Sequence, residues 1–563
     1  MRAFAVSQPA FLLPMLLAGA ALAARPAPPP APPTTYSIPS AAMPGQETEI
    51  AFYGEELGKP LGLWTSFPAQ VAPVGRSDAK EIRYRLKLAD DVPVGIGAVR
   101  LMTSTGVSSL QFFMIDDLPS FNRHGDNTSP RTARSLTLPV AIDGACEPLP
   151  SDYYRIDAKK GERISIEVVA QRMGSRMDPL VRLLDSNGNE LVYCDDTPGI
   201  GSDCRFAYTF AADGRYLIEL RDVNYEGGPQ YRYRLRVGDF PLVTAPFPLA
   251  GKRATEARFE FEGPDAQLLA PVTVKLPSDS PQVSIGAKSP HGQGSGFVSI
   301  LCCDREDFVA AKPNHTPLTA ARVEIPAAIS GRLTERGARD FYEFHAAKGD
   351  RLAIRGQTRS LGSGCDLLLR LLKSDGTKLF ESNPTSADEG TLDVTIPDEG
   401  VYQLVIEDIN HGGGPGMVYR VEIEPAQRDF TLSVDNEKVD AVAGGSFRIK
   451  ITAARSDYTG PITLSLAGDA AGFALLNNVI PKGKNEAELK VTVPEEMPSR
   501  QPLNFTINGT AQIDGQPRSH PASTAPALKK LYPRLFYVPS EVDGLIGVGI
   551  IPGPKAAAQA APP

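Results

Sequence analysis

Tryptophan occurs once in 563 residues, at Trp64, and histidine only six times. His124, His291, His315, His345, His411 and His520 are scattered, and none stands in the H-E-x-x-H spacing that holds zinc on a helix. The chain has no G-x-S-x-G elbow and no phosphate-cradling Gly-rich loop, and Gly294-Ser295-Gly296 is only a turn. A Ser/His/Asp triad would therefore have to come from folding alone, with no local signal for it. No run of useful length shows the 3.6-residue period of an amphipathic helix. Basic runs are also lacking. Lys and Arg number 58 against 66 Asp and Glu, a net charge of -8, so a nucleic-acid surface has no electrostatic support. Beyond the N-terminus, no stretch is apolar for the ~20 residues that a membrane span needs.

What is present points to export and to strands. Arg2, the apolar run Phe11, Leu12, Leu13, Met15, Leu16 and Leu17, and Ala21-Leu22-Ala23 read as an export signal over residues 1–23. The run is short for an anchor and is broken by Pro14. A Pro/Ala linker follows over 24–35, and the mature chain is expected to be secreted, periplasmic or extracellular, with no membrane span. Six Cys suit an oxidising compartment. Cys194 and Cys204 flank a short turn-rich loop and form the expected disulfide, while the pairing of Cys146, Cys302, Cys303 and Cys365 stays open.

Hydrophobic residues at 42% and charged residues at 22% suit packed cores, and this length requires several of them. Period-two runs such as Ile82-Arg83-Tyr84-Arg85-Leu86-Lys87-Leu88 recur with Gly, Pro, Asp and Ser between them, the pattern of β-sandwiches. An internal repeat organises the chain. Asp152-Tyr153-Tyr154-Arg155 recurs as Asp340-Phe341-Tyr342-Glu343, and Lys160-Gly161-Glu162-Arg163 as Lys348-Gly349-Asp350-Arg351. Gly174-Ser175 with Asp178 recurs as Gly362-Ser363 with Asp366, and Asp222-Val223-Asn224 as Asp408-Ile409-Asn410. Upstream, Pro139 and Gly144 match Pro326 and Gly331. The expected fold is all-β, a tandem of sandwiches: 36–119 immunoglobulin-like, 130–240 the first large repeat, 241–309 a second small sandwich, 318–427 the second large repeat, and 428–525 a C-terminal immunoglobulin-like unit. Residues 526–563 read as a partly disordered tail.

The two large repeats resemble the bacterial pre-peptidase C-terminal domain. They share its Asp-x-Tyr, Lys-Gly-Glu/Asp-Arg, Gly-Ser-x-x-Asp and Asp-x-Asn-x-x-Gly-Gly elements. The resemblance implies a jelly-roll β-sandwich that accompanies secreted peptidases and other exported bacterial proteins. Related domains in collagenases bind collagen and are steadied by calcium. The flanking small sandwiches look like immunoglobulin-like domains of the IPT/TIG type. The peptidase domain that the family usually accompanies has no counterpart here.

One loop reads as a site. Asp195, Asp196 and Asp203 lie between Cys194 and Cys204, and calcium takes carboxylate and carbonyl oxygens. Calcium binding and a solvated acidic turn are both open readings. Asp222 with Asn224, and Asp408 with Asn410, precede Gly-Gly turns, where such side chains bond local amides. Tyr153, Tyr154, Tyr225, Tyr231 and Tyr233 offer an aromatic face for protein or glycan, although alternate ones must enter the core. The expected function is a non-catalytic binding or adhesion scaffold recognising a protein or polysaccharide of the envelope or matrix. The alternative is an accessory subunit of a secreted peptidase or other hydrolase.

Overall fold

The computed structural model describes residues 36–551, apart from Glu56, Gly58, His124, His291, 383–387 and 498–501. The expected export signal (1–23), the linker (24–35) and the last twelve positions of the tail (552–563) lie outside the described residues. The fold is all-β. Among the described residues the one α-helix is Ala525–Leu531.

Alternation builds each sheet. In the strand Glu81–Leu88, Ile82, Tyr84, Leu86 and Leu88 are buried while Arg83, Arg85 and Lys87 face water. The first sandwich pairs this strand with Tyr36–Ile38, Glu47–Tyr53 and Ala69–Val74, against a second sheet of Ala41–Ala42, Gln111–Ile115, Gly95–Thr103 and Pro60–Thr65. The third sandwich is a reduced version of the same wiring. It has Ala245–Phe247, Glu256–Glu262 and Val272–Lys275 on one sheet, and Ala250–Lys252, Gly296–Cys303 and Gln282–Ala287 on the other. In both, the opening strand is split between the two sheets, and its second piece lies parallel to a late strand.

Between them lies the first jelly roll. Its inner sheet runs Ser120–Asn122, Val140–Ala145, Arg232–Gly238, Arg163–Val169, Arg205–Thr209. Its outer sheet runs Arg134–Ser135, Asp152–Ala158, Gly214–Asp222, Pro179–Leu184, Glu190–Cys194. The second jelly roll repeats that order strand for strand, from Phe308–Val309 to Thr391–Thr395 on one sheet and from Ala321–Arg322 to Lys378–Glu381 on the other.

The repeated residues turn out to be core furniture. Tyr154 and Tyr233 share a hydroxyl contact of 2.5 Å, and the Tyr233 hydroxyl donates to Asp152 at 2.6 Å. Tyr342, Tyr419 and Asp340 repeat the arrangement. Burial raises the pKa of both aspartates. Gly144 and Gly331 lie directly beneath the paired tyrosines, where a Cβ would stand 2.4 Å and 2.1 Å from the ring or hydroxyl of Tyr233 and Tyr419. Only glycine leaves room for the buried tyrosine, which accounts for its recurrence.

Elsewhere the copies solve the same problem with different residues. Fully buried Arg234 is held by Asp143 and by the Ser120 hydroxyl. In the second copy, Arg420 takes its carboxylate from Asp307, which also accepts from Ser330. The strand registers place Asp307 where the first copy has Ser120, and Ser330 where it has Asp143. The carboxylate and the hydroxyl have exchanged strands around one arginine.

The last sandwich contains the main correction. Residues 526–551 were expected to be tail. They instead form the helix Ala525–Leu531, an excursion over 532–545, and the strand Ile546–Ile551. That strand inserts between Lys438–Val442 (parallel) and Leu503–Ile513 (antiparallel), and it buries Ile546, Val548 and Ile550 in the core. The helix and the excursion leave their own sandwich and pack Leu528, Leu535 and Val542 against Ala98, Leu110 and Phe112 of the first. Trp64 covers the edge of this cluster, half-buried. The loop is tied at its base by Asp543, whose carboxylate accepts from the Thr524 and Ala525 amides at 2.7 and 3.0 Å. The segment is thus a strap across the sandwiches, stabilised by apolar burial far from its neighbours in sequence.

Candidate functional site

The acidic loop forms, but its carboxylates do not converge. Thr197 organises it, accepting from the Arg205 amide at 3.1 Å. Asp203 is fully buried and caps the 3-10 turn Gln171–Met173, accepting from the Ala170 and Gln171 amides at 3.0 and 2.7 Å and from Arg172 Nε at 2.7 Å. Asp195 accepts instead from the Tyr193 hydroxyl at 2.9 Å. A carboxylate saturated by amides and a guanidinium has no lone pairs facing a cation, so the expected calcium set Asp195, Asp196 and Asp203 does not assemble. Among the described residues no three His, Cys, Asp or Glu side chains are grouped as a metal would need.

The cysteines also depart from expectation. All six are free thiols in the structure, including the expected pair Cys194 and Cys204. Those two sulfurs are neighbours. A hydrogen bond from the Cys204 thiol pulls the Cys194 thiol down to about 6, against the effect of partial burial. Cys146 and Cys365 act as small apolar core residues. Cys146 packs on Met177 at 3.7 Å. Cys365 takes the position of Met177 in the second copy, within that core.

Asp222 and Asp408 hold local backbone. Asp222 accepts from the Asp178 and Asn224 amides at 2.8 and 2.9 Å, and Asp408 from the Asp366 and Gly412 amides at 2.7 and 2.8 Å.

What the loop does support is the edge of a platform. Strand register places Tyr153, Glu219, Arg182 and Tyr193 in one row across the outer sheet of the first jelly roll. Glu219 is buried and anchors the row, accepting from Arg182 Nε and from the Ser151 hydroxyl at 2.9 Å each. Tyr193 is 49% exposed and Tyr225 48%. The Arg221 guanidinium lies 4.0 Å over the Tyr225 ring. Tyr225 adopts a positive φ of 59° at the turn that Asp222 holds. Exposed Leu149, whose amide bonds the Tyr225 carbonyl at 3.0 Å, extends the apolar surface.

Of the five tyrosines singled out in the sequence, Tyr153, Tyr225 and Tyr231 face outward or lie at the rim, while Tyr154 and Tyr233 are core. Tyr193 was not among them. Its signal was the register partner Arg182, which is legible only once the hairpin is aligned. The second copy has Phe341, Glu381 and His411 at the three platform positions, so the surface belongs to one copy only.

Residues 150–222, within the first jelly roll, match the family described as the bacterial pre-peptidase C-terminal domain, and one such domain lies there. The chain is similar to the pre-peptidase C-terminal domain of a collagenase from Bacillus anthracis, at 18% identity over 21% of this chain and 99% of that one, with a TM-score of 0.16. It is also similar to a mixed-linkage glucan utilization protein, SGBP-B, from Bacteroides ovatus, at 8% identity over 68% and 71% of the two chains, TM-score 0.14. A third similarity is to the secreted serine protease VesC of Vibrio cholerae, at 8% identity over 36% and 46%, TM-score 0.14. No curated protein matches the chain.

Proposed function

We propose that the chain is an exported, non-catalytic binding scaffold that recognises a protein or polysaccharide of the envelope or matrix through the outer sheet of its first jelly roll. The observation that carries this reading is the Tyr153–Glu219–Arg182–Tyr193 row, extended by Tyr225 and Leu149. Tyrosines on a rigid sheet present large flat apolar area at little entropic cost, each with a hydroxyl to direct it, and ion-paired arginine adds donors. A second reading, an accessory subunit of a secreted hydrolase, is favoured by the domain at 150–222, since that family is named for its place beside peptidases.

The test is binding of the mature protein to envelope fractions and to purified polysaccharides. Tyr153→Ala, Tyr193→Ala and Tyr225→Ala together should weaken capture by at least the ~2 kcal/mol of one interface hot spot. The melting temperature should hardly move, because the three rings are exposed or half-exposed. A triple variant captured as well as wild type would remove the platform from the reading.

Export also bears on the thiols. We propose that Cys194 and Cys204 close as a disulfide in the oxidising compartment, supported by the contact between them and the thiolate character of Cys194. So short a loop should gain about 2–3 kcal/mol on the chain-entropy account. Non-reducing peptide mapping of exported protein should find the pair bonded, and a free Cys194 would refute it.

A further inference from the structure

Where the two jelly rolls approach each other they line, together with the third sandwich and the strap, a half-open cavity of about 770 Å³. The size is that of a small-molecule site. Corresponding turns of the two copies, Gln171–Met173 and Arg359–Leu361, stand on its wall. Ile200, Val243, Phe297, Leu361 and Leu535 make much of the wall apolar.

Arg205 lines the same cavity, its side chain only 6% exposed. Its nearest carboxylate, Glu167, is 3.7 Å away and already takes Arg172 at 2.9 Å and Arg236 at 2.6 Å. Two of its nitrogens, Nε and one Nη, are sealed from water and have no partner, and neither does Nε2 of Gln171, another residue of the wall. Burial, with the like charges of Arg172 and Arg236, pulls Arg205 down to about 10, as expected of a guanidinium short of negative charge. The second copy has Thr391 at this position, so the shared fold does not require the arginine. Open buried donors beside an apolar wall are costly unless something accepts from them.

We propose that this cavity binds a small organic anion, its carboxylate on the Arg205 guanidinium and its apolar body against Ile200, Phe297 and Leu535. The site is separate from the platform, and either can fail without the other.

Octanoate is the probe, with 1-octanol and sulfate as arms that hold only one half of the chemistry. Titration calorimetry should show octanoate binding at one site per chain and raising the melting temperature with concentration. Octanol and sulfate should each bind at least about tenfold more weakly, since each forgoes either the charge-assisted bonds or the apolar burial. Arg205→Met keeps the apolar stem and should weaken octanoate by about tenfold or more, leaving the melting temperature without ligand unchanged or higher. Should Arg205→Met not fold, Ile200→Trp fills the cavity with Arg205 in place and should block octanoate. Octanoate that does not bind wild type, or that binds wild type and the variants equally, overturns the proposal.

Discussion

Ending the chain after Thr524 should unfold the last sandwich and leave the jelly rolls folded. The strand Ile546–Ile551 is interior to its sheet, paired on both sides, and its removal strips hydrogen-bond partners from Lys438–Val442 and from the start of Leu503–Ile513. Ile546, Val548 and Ile550 are each fully buried, and burying such a side chain is worth about 1.5–3 kcal/mol. Leu528, Leu535 and Val542 are lost from the first sandwich at the same time. Six such side chains amount to roughly 10 kcal/mol, comparable to the whole stability of an ordinary domain. Limited proteolysis should therefore digest 429–524 while a fragment spanning the jelly rolls survives, and calorimetry should lose the corresponding transition. A gentler variant separates the two roles of the strap. Tyr532→Ala keeps the strand but removes the ring packed on Phe112 at 5.4 Å and the hydroxyl bonded to the Leu110 carbonyl. It should loosen the contact between first and last sandwich without unfolding either. A truncated chain that melts and resists protease like the full one would make the strap a passenger.

The contrast between strap and repeats shows what a sequence reveals. The jelly rolls were legible because alternation writes each strand locally, and because Gly144 and Gly331 recur wherever a buried tyrosine needs the space. The strap was not, since Leu528, Tyr532, Leu535 and Val542 follow no strand period and are buried by Ala98, Leu110 and Phe112, more than 400 positions earlier. The acidic loop illustrates a different limit. Asp195, Asp196 and Asp203 are close along the chain, but Asp203 turns inward to cap Gln171–Met173, a choice set by the amides waiting there. The exchange of Asp143 and Ser120 for Ser330 and Asp307 was hidden because conserved geometry around an arginine does not require the carboxylate to keep its place. The tyrosine row was half visible. The outward Tyr153 could be named, but Tyr193 needed the register of two hairpin strands.

Asp116→Ala should cost about 3–5 kcal/mol, the penalty for removing one partner from a buried ionic network. Asp116 follows the last strand of the first sandwich and is buried with both its oxygens engaged. Its Oδ2 accepts from Arg234 Nε at 2.8 Å, and its Oδ1 from Arg236 Nη2 at 3.1 Å. Both arginines are fully buried on the strand Arg232–Gly238 of the first jelly roll, and Arg236 also donates to the Ser295 carbonyl of the third sandwich at 2.7 Å. One carboxylate therefore neutralises the junction of three units. Without it, Arg234 keeps Asp143 and Arg236 keeps Glu167, each at a single nitrogen, and the surplus charge has no water to reach. Acid should strike the same junction. Burial alone would raise the pKa of Glu167, but Arg172, Arg236 and Arg205 override it and hold the carboxyl at about 2. A carboxylate whose folded pKa lies below its unfolded value stabilises fully above the unfolded value, and that contribution fades as pH falls through the folded one. The contribution of Glu167 should thus be level down to about pH 5 and then fall by roughly 3 kcal/mol between there and pH 2. Chemical denaturation of wild type and Asp116→Ala at pH 7 checks the first number. Asp117→Ala is the control, since Asp117 bonds Ser295 from a half-exposed position and should cost no more than about 1 kcal/mol. Equal losses for the two variants would mean that the junction is held by packing and not by this buried charge.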